Sequence, residues 1–292
     1  MKTAEIIELT CVKKAETRLN PPYKLAIVGA GCGDIELLTL KAARLISSAE
    51  VIVYDALVSD DILSLAAKEC ELHFVGKRCG QPSAQQDDIN ALLLECSVRG
   101  LNTVRLKGGD PNVFGRGCEE ALFLARNGFA SEFIPGITAA LGCAASAGIP
   151  LTHRGVARSV TLVTGSVFDD SSFFDDSAVA WKSLLAAQTS LVFYMGKAQA
   201  AKIAHGLLNA GANVQLPAVF ISNGARANQR LTYASLGNMA DTARKIEVGG
   251  PTMIIVGEVV SVGKELSDLM DSIGNTRAEP VLERLANAGE PV

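Results

Sequence analysis

Short apolar runs alternate with segments of helical periodicity from Tyr23 to about Val262, which predicts an α/β protein. Two further observations make it two-lobed. The chain has 292 residues, enough for two domains of ordinary size. The alternation also breaks at Gly148 to Ser159, where Ile149-Pro150-Leu151-Thr152 cannot continue a helix and His153-Arg154-Gly155 loses periodicity. This divides the chain into a polar extension (1–22, ending in Pro21-Pro22), a first α/β domain (23–152), a second (153–262), and a tail (263–292) expected to be loose after one helical segment.

Taken in order, Lys24 to Val28 reads as a strand that stops at Gly29-Ala30-Gly31-Cys32-Gly33-Asp34. Leu37, Leu38, Leu40, Ala43, Leu45 and Ile46 then recur at helical spacing. Val51 to Tyr54 is a second strand ending at Asp55, with a helix expected over Asp60 to Lys68. The pattern repeats as Leu72 to Val75, Ala84 to Arg99, Asn102 to Leu106, Arg116 to Asn127 and Ala130 to Ile134. An alanine-rich helix follows over Thr138 to Ser146. Five strands separated by helices imply a mostly parallel sheet covered on both faces. The second domain carries strand signals at Val160 to Thr164, Ser190 to Tyr194, Pro217 to Ile221, Arg230 to Ala234 and Thr252 to Val256. Its helix signals lie near Ala178 to Ala186, Ala198 to Ala210 and Leu236 to Ile246.

Composition excludes several classes. Hydrophobic content of 48% with 20% charged residues describes a folded globular chain, and no stretch has the uncharged length of a membrane span. A net charge of −4 speaks against a nucleic-acid binder. Residues 1 to 20 lack the apolar core of a signal peptide, so a cytoplasmic protein is expected. The seven cysteines form no C-x-x-C pair and the three histidines are far apart, so neither a disulfide framework nor a metal site is expected.

The densest stretch is Arg105-Leu106-Lys107-Gly108-Gly109-Asp110-Pro111-Asn112-Val113-Phe114-Gly115-Arg116-Gly117. It holds four glycines, three cations and one carboxylate between an apolar run and a helix. Gly108 and Gly109 let backbone approach a ligand, Asp110 can accept hydrogen bonds, and Arg116 can fork onto a carboxylate. A tight strand-to-helix turn with solvated charges is the alternative. Gly29 to Gly33 imitates a dinucleotide loop, with Asp55 22 residues beyond Gly33, but Asp34 stands where that fingerprint needs glycine. A carboxylate there competes with a pyrophosphate for the helix start. Asp55 and Lys77 both follow strands and so face one crevice, where they suit proton transfer; a strand terminator and a solvated cation are the plain readings. Met195, beside Gly196, suits packing against a ligand, and Arg154, between the domains, suits a substrate carboxylate.

On the strings VGAGCGDIELLTLKA, VIVYD, FVGKRCG, RLKGGDPNVFGRGCEE, IPGITAA, AGIPLTHR, LVFYMG, ISNGA and PTMIIVGEVV, the chain resembles the tetrapyrrole methylase family from about Lys24 to Val260. It resembles most the members that methylate uroporphyrinogen III. The resemblance implies a two-lobed, non-Rossmann class III methyltransferase, homodimeric, with S-adenosylmethionine and no metal bound between two α/β domains. It implies cofactor contacts at Cys32, Gly108, Gly109, Asp110, Val113, Thr138, Ala139, Met195, Gly224, Ala225 and Thr252. It further implies proton transfer by Asp55 and Lys77 and tetrapyrrole binding by Arg116, Glu119 and Arg154. The implied reaction is C-methylation of uroporphyrinogen III at carbons 2 and 7, giving precorrin-2 and S-adenosylhomocysteine for sirohaem or cobalamin-type tetrapyrroles. A meso proton must then leave, and Arg116, Asp55 or an ordered water could take it. Cys32, Ala56 and Asn112 depart from the family's usual proline, arginine and aromatic. A methylase of a later precorrin, or a non-catalytic binder of tetrapyrrole or adenosylmethionine, are the alternatives.

Overall fold

The computed structural model describes residues 24–76, 85–165, 181–247 and 249–275. The extension 1–22, Lys77, and the tail beyond 275 lie outside the described residues.

The first domain is built on β1 (Leu25–Gly29), β2 (Val51–Tyr54), β3 (Glu71–Phe74), β4 (Thr103–Lys107) and β5 (Ser131–Ile134). These form one sheet in the order β3-β2-β4-β1-β5, and every pairing is parallel. Alternation along β1 shows why both faces must be covered. Ala26 and Val28 enter a core with Ala42 and Ile46 of α1 (Leu40–Ser47) and Ile62 of α2 (Asp60–Leu63). Leu25 and Ile27 enter the opposite core with Ile89 and Leu93 of α3 (Gln86–Val98) and Leu124 of α4 (Gly117–Arg126). α2 stops at Leu63, short of the expected Lys68. Leu65 and Ala66, beyond that end, still pack against the same core as Ile62.

The second sheet comprises β6 (Ser159–Thr164), β7 (Thr189–Tyr194), β8 (Pro217–Ser222), β9 (Arg230–Ser235) and β10 (Thr252–Val256) in the order β6-β7-β10-β8-β9. Only β6 and β7 run parallel; the other pairings are antiparallel. One face packs on α6 (Trp181–Ala186), α7 (Ala200–Asn209) and α8 (Met239–Lys245). The other packs on α5 (Ala139–Ser146) and the start of α9 (Val259–Asn275). α5 precedes the sequence break at 148–159, yet Ala140, Cys143 and Ala144 pack against Val192, Val219 and Ile255 of the second sheet. α9 likewise begins inside the second domain, with Val259 and Val260 buried.

Candidate active site

In a parallel sheet the carboxyl ends of neighbouring strands share one edge. Here the order β2-β4-β1-β5 aligns Asp55, Gly108 to Asp110, Gly29 to Cys32 and Gly136 to Ala139 along it. Three of these loops interlock through glycine. Gly31 and Gly109 exchange backbone hydrogen bonds at 3.1 and 2.6 Å, and a methyl on Gly29 would lie 2.5 Å from the Gly136 nitrogen. Gly109 has φ +71°, the left-handed region that favours glycine, and a methyl there would sit in ordinary contact with the Ala139 nitrogen at 3.7 Å, so backbone conformation rather than crowding calls for glycine.

The second sheet brings Met195, Gly224, Ala225 and Thr252 to one end, where Thr252 Oγ1 lies 3.1 Å from Ser222 Oγ. The two ends meet in direct contact. Tyr194 Oη lies 2.6 Å from Thr138 Oγ1 and accepts the Ala140 N–H at 3.0 Å, which caps α5 from the opposite sheet. Burial pushes the Tyr194 phenol up from its ordinary range. Its ring stands edge-on to Phe114 at 4.8 Å. Sequence reasoning missed both aromatics, although Phe114 lies inside the glycine stretch and Tyr194 immediately precedes Met195.

Backbone strain collects at the same place. Phe114, Arg116, Met195, Asn223 and Ala225 all have φ between 51° and 58°, and Gln188 is the further case among the described non-glycine residues. Each such conformation costs about 1–3 kcal/mol and persists where surrounding structure dictates it.

Arg105 and Lys107, grouped above with the loop cations, are buried strand residues, 1% and 4% exposed. The strand expected over Asn102 to Leu106 therefore runs one residue further, to Lys107. Arg105 Nη2 donates to Asp55 Oδ1 at 2.6 Å and its Nε to Glu120 Oε1 at 3.1 Å. Lys107 Nζ donates to the same Glu120 oxygen at 2.9 Å and stands 3.7 Å from Asp55 Oδ2. Glu120 is fully buried on α4, and its Oε2 has no partner. Two cations and two carboxylates thus form a closed group behind Asp55, whose side chain stays 28% exposed. Glu120 was not foreseen. Two cations on a strand buried on both faces demand such a counter-charge.

The other predicted residues sit as follows. Asp110 already serves its own loop: Oδ1 accepts from Asn112 N at 2.8 Å and Oδ2 from Gly136 N at 3.2 Å. Val113 closes the same turn onto the Asp110 carbonyl. Cys32 packs on α5, where a methyl on Gly142 would overlap its sulfur. Burial raises its thiol and drives Cys143, which faces Gly224, up to about 12, so both are poor nucleophiles. Arg116 and Glu119 form an exposed fork with each other at 3.0 and 2.7 Å. That bond raises Arg116 and lowers Glu119. Arg154 lines an open cavity of about 470 Å³ with Thr152, His153, Gly155, Ala157 and Arg158, apart from the interlocked loops. Asp34 accepts from Glu36 N at 2.9 Å, so a resident carboxylate already fills the helix start that a pyrophosphate would need.

A sequence profile of the Tetrapyrrole (Corrin/Porphyrin) Methylases matches residues 24–240, which include the first sheet and every strand of the second except β10. The chain belongs to this family. The tetrapyrrole methylase is 43% identical over 249 residues to a siroheme synthase of Pseudoalteromonas translucida, covering 85% of this chain and 52% of that one. It is 42% identical over 263 residues to a siroheme synthase of Enterobacter sp., covering 90% and 56%. It thus spans about half the length of these curated relatives. Among solved structures, the uroporphyrin-III C-methyl transferase of Thermus thermophilus complexed with S-adenyl homocysteine aligns with TM-score 0.67 and 38% identity, over 82% of this chain and 93% of that one. A cobalt precorrin-4 methyltransferase shares the fold at TM-score 0.70 and 23% identity, over 80% and 95%. Among the described residues, no group of three His, Cys, Asp or Glu side chains is placed to hold a metal, and no helix is long and apolar enough to cross a membrane.

Proposed function

We propose that this tetrapyrrole methylase transfers methyl groups from S-adenosylmethionine to carbons 2 and 7 of uroporphyrinogen III, giving precorrin-2 and S-adenosylhomocysteine. The observation that carries the proposal is the interlocked glycine edge facing the second sheet across one cleft, in a chain 38% identical to a uroporphyrin-III C-methyl transferase.

The residues fit an uncharged-backbone site for adenosylmethionine. Gly109, at φ +71°, gives the loop a turn that a side-chain-bearing residue rarely adopts, and Met195, 57% exposed, offers a soft apolar wall. Asp34, which would repel a pyrophosphate, is harmless to a ligand without phosphate. When bound, the sulfonium supplies an already activated methyl group. In each of the two transfers the chain's task is therefore alignment of a pyrrole carbon and removal of one proton.

Asp55 is the proton acceptor in this proposal. Arg105 and Lys107 fix its carboxylate from behind while its exposed side faces the cleft. Arg116 does not serve as the base, because its fork to Glu119 strengthens its hold on the proton. Instead Arg116 and Arg154 bind substrate carboxylates, with Glu119 orienting Arg116. Lys77 as proton donor, and the assembly as a homodimer, belong to the same proposal. Anaerobic incubation with adenosylmethionine and enzymatically generated uroporphyrinogen III, followed by mass spectrometry, tests it. Formation of the doubly methylated product supports the reading, and tight binding of S-adenosylhomocysteine with no transfer would favour the non-catalytic binder.

A further inference from the structure

The loop after β8 sends one side chain across the cleft. Arg226 Nη2 donates to the Leu57 carbonyl at 2.8 Å, two residues beyond Asp55. Its stem and Nε lie against Gly33, where a methyl would come within 2.6 Å of Nε. Nε is buried and has no partner. One guanidinium therefore touches both the loop after β1 and the turn after β2 while rooted in the second sheet. Leu57 in turn packs on Gly108, since a methyl on that glycine would lie 2.6 Å from Leu57 Cβ.

The chemistry of this placement is unbalanced. A guanidinium carries five N–H donors and one full charge. Leu57 O is the one acceptor the Arg226 guanidinium has among the described residues, and no carboxylate there lies within ion-pair distance of it. By contrast, Arg105, Arg99 and Arg116 each have a carboxylate within 4 Å. A cation held at the mouth of a ligand cleft, oriented by a backbone carbonyl but left without a counter-charge, is suited to an anionic group arriving with the ligand.

We infer that Arg226 is a ligand-binding residue that receives a carboxylate at the junction of Gly33, Leu57 and the loop after β8. The inference rests on the proposed function, where two carboxylates qualify: that of the methionine end of adenosylmethionine and one of those on the tetrapyrrole. Both sources are separable in one set of variants. Arg226→Met keeps the stem that packs on Gly33 but removes charge and donors, while Arg226→Lys keeps the charge.

The test measures S-adenosylhomocysteine affinity by calorimetry, and KM and kcat with uroporphyrinogen III, in the full chain. Arg226→Met is expected to weaken one of the two, Kd or KM, about ten- to a hundred-fold, with partial recovery in Arg226→Lys and thermal midpoints close to the parent. A change in Kd assigns the methionine carboxylate, and a change in KM alone assigns the tetrapyrrole. Unchanged Kd and KM in Arg226→Met overturn the inference. So does equal loss in both variants together with a lowered thermal midpoint, which would make Arg226 a structural strap. If the parent turns over no uroporphyrinogen, the proposed reaction fails, and the calorimetric arm still reads Arg226.

Discussion

Removing Glu120 is the sharpest probe of the group behind Asp55. Its Oε1 accepts from Arg105 Nε, Lys107 Nζ and Gln86 Nε2 at 3.1, 2.9 and 3.4 Å, and the side chain is fully buried. Glu120→Ala leaves two buried cations with only the partly exposed Asp55 opposite them. Breaking a buried pair from one side costs about 3–5 kcal/mol, because the remaining charge is stranded. At about 2–4 °C per kcal/mol, the thermal midpoint should fall by roughly 6–20 °C. Glu120→Gln should fall less. It keeps an oxygen at Oε1, and its amide takes the Oε2 position, where no donor is displaced. The full exchange Arg105→Met, Lys107→Met, Glu120→Leu should recover most of the loss, since the one charge left unpaired, Asp55, keeps 28% of its side chain in contact with solvent. Denaturant unfolding followed by circular dichroism measures all three. A loss in Glu120→Ala below about 1 kcal/mol, the range of a solvated surface pair, would refute the buried group as described.

Four other outcomes follow from the same geometry. Arg116→Ala and Arg154→Ala should each reduce uroporphyrinogen kcat/KM about ten- to hundred-fold while leaving S-adenosylhomocysteine affinity near the parent, measured by steady-state kinetics and calorimetry. Asp110→Ala removes acceptors from Asn112 N and Gly136 N, so it should both lower stability by about 1–3 kcal/mol and weaken cofactor binding; a change in binding alone would show that capping matters little. Cys143 holds its proton in the folded state from its ordinary 9.0 up to about 12, whereas the unfolded chain loses it near 9.0. The folded state then binds more protons, so stability falls as pH rises through that window, by up to about 1.4 kcal/mol per unit. Melts between pH 8 and 11 should therefore be flatter for Cys143→Ala than for the parent. Finally, NAD should show no specific binding by calorimetry, because Asp34 occupies the helix start.

The described strands and most described helices were legible because burial writes itself into period and length, most plainly in the central strands covered on both faces. Val51-Ile52-Val53-Tyr54, Thr252 to Val256 and the glycines ending β1 and β4 admit few other readings. The boundary of α2 was not legible, since Leu65 and Ala66 beyond it keep the apolar pattern and pack against the same core. The packing of α5 on the second sheet was hidden for a different reason. An alanine-rich helix with little amphipathic contrast can bury against either neighbour, and only the cap from Tyr194 shows which one holds it.

The site was half legible for the same physical reason. Gly108, Gly109 and Asp110 stand out by composition, because a loop that approaches a ligand must be locally unusual. Arg105, Glu120 and Arg226 carry no local signal. Arg105 and Lys107 look like loop cations until the strand is known to be buried on both faces. Only then does Glu120, spaced along α4 like any surface glutamate, become the charge that lets them remain there. Arg226 is read last, since its meaning depends on two contacts in another domain, Gly33 and Leu57. Composition thus locates the glycine backbone of the candidate site, while the charges that hold Asp55 are visible only through tertiary burial, which makes Glu120 the residue whose replacement tests whether that charge group is built into the fold.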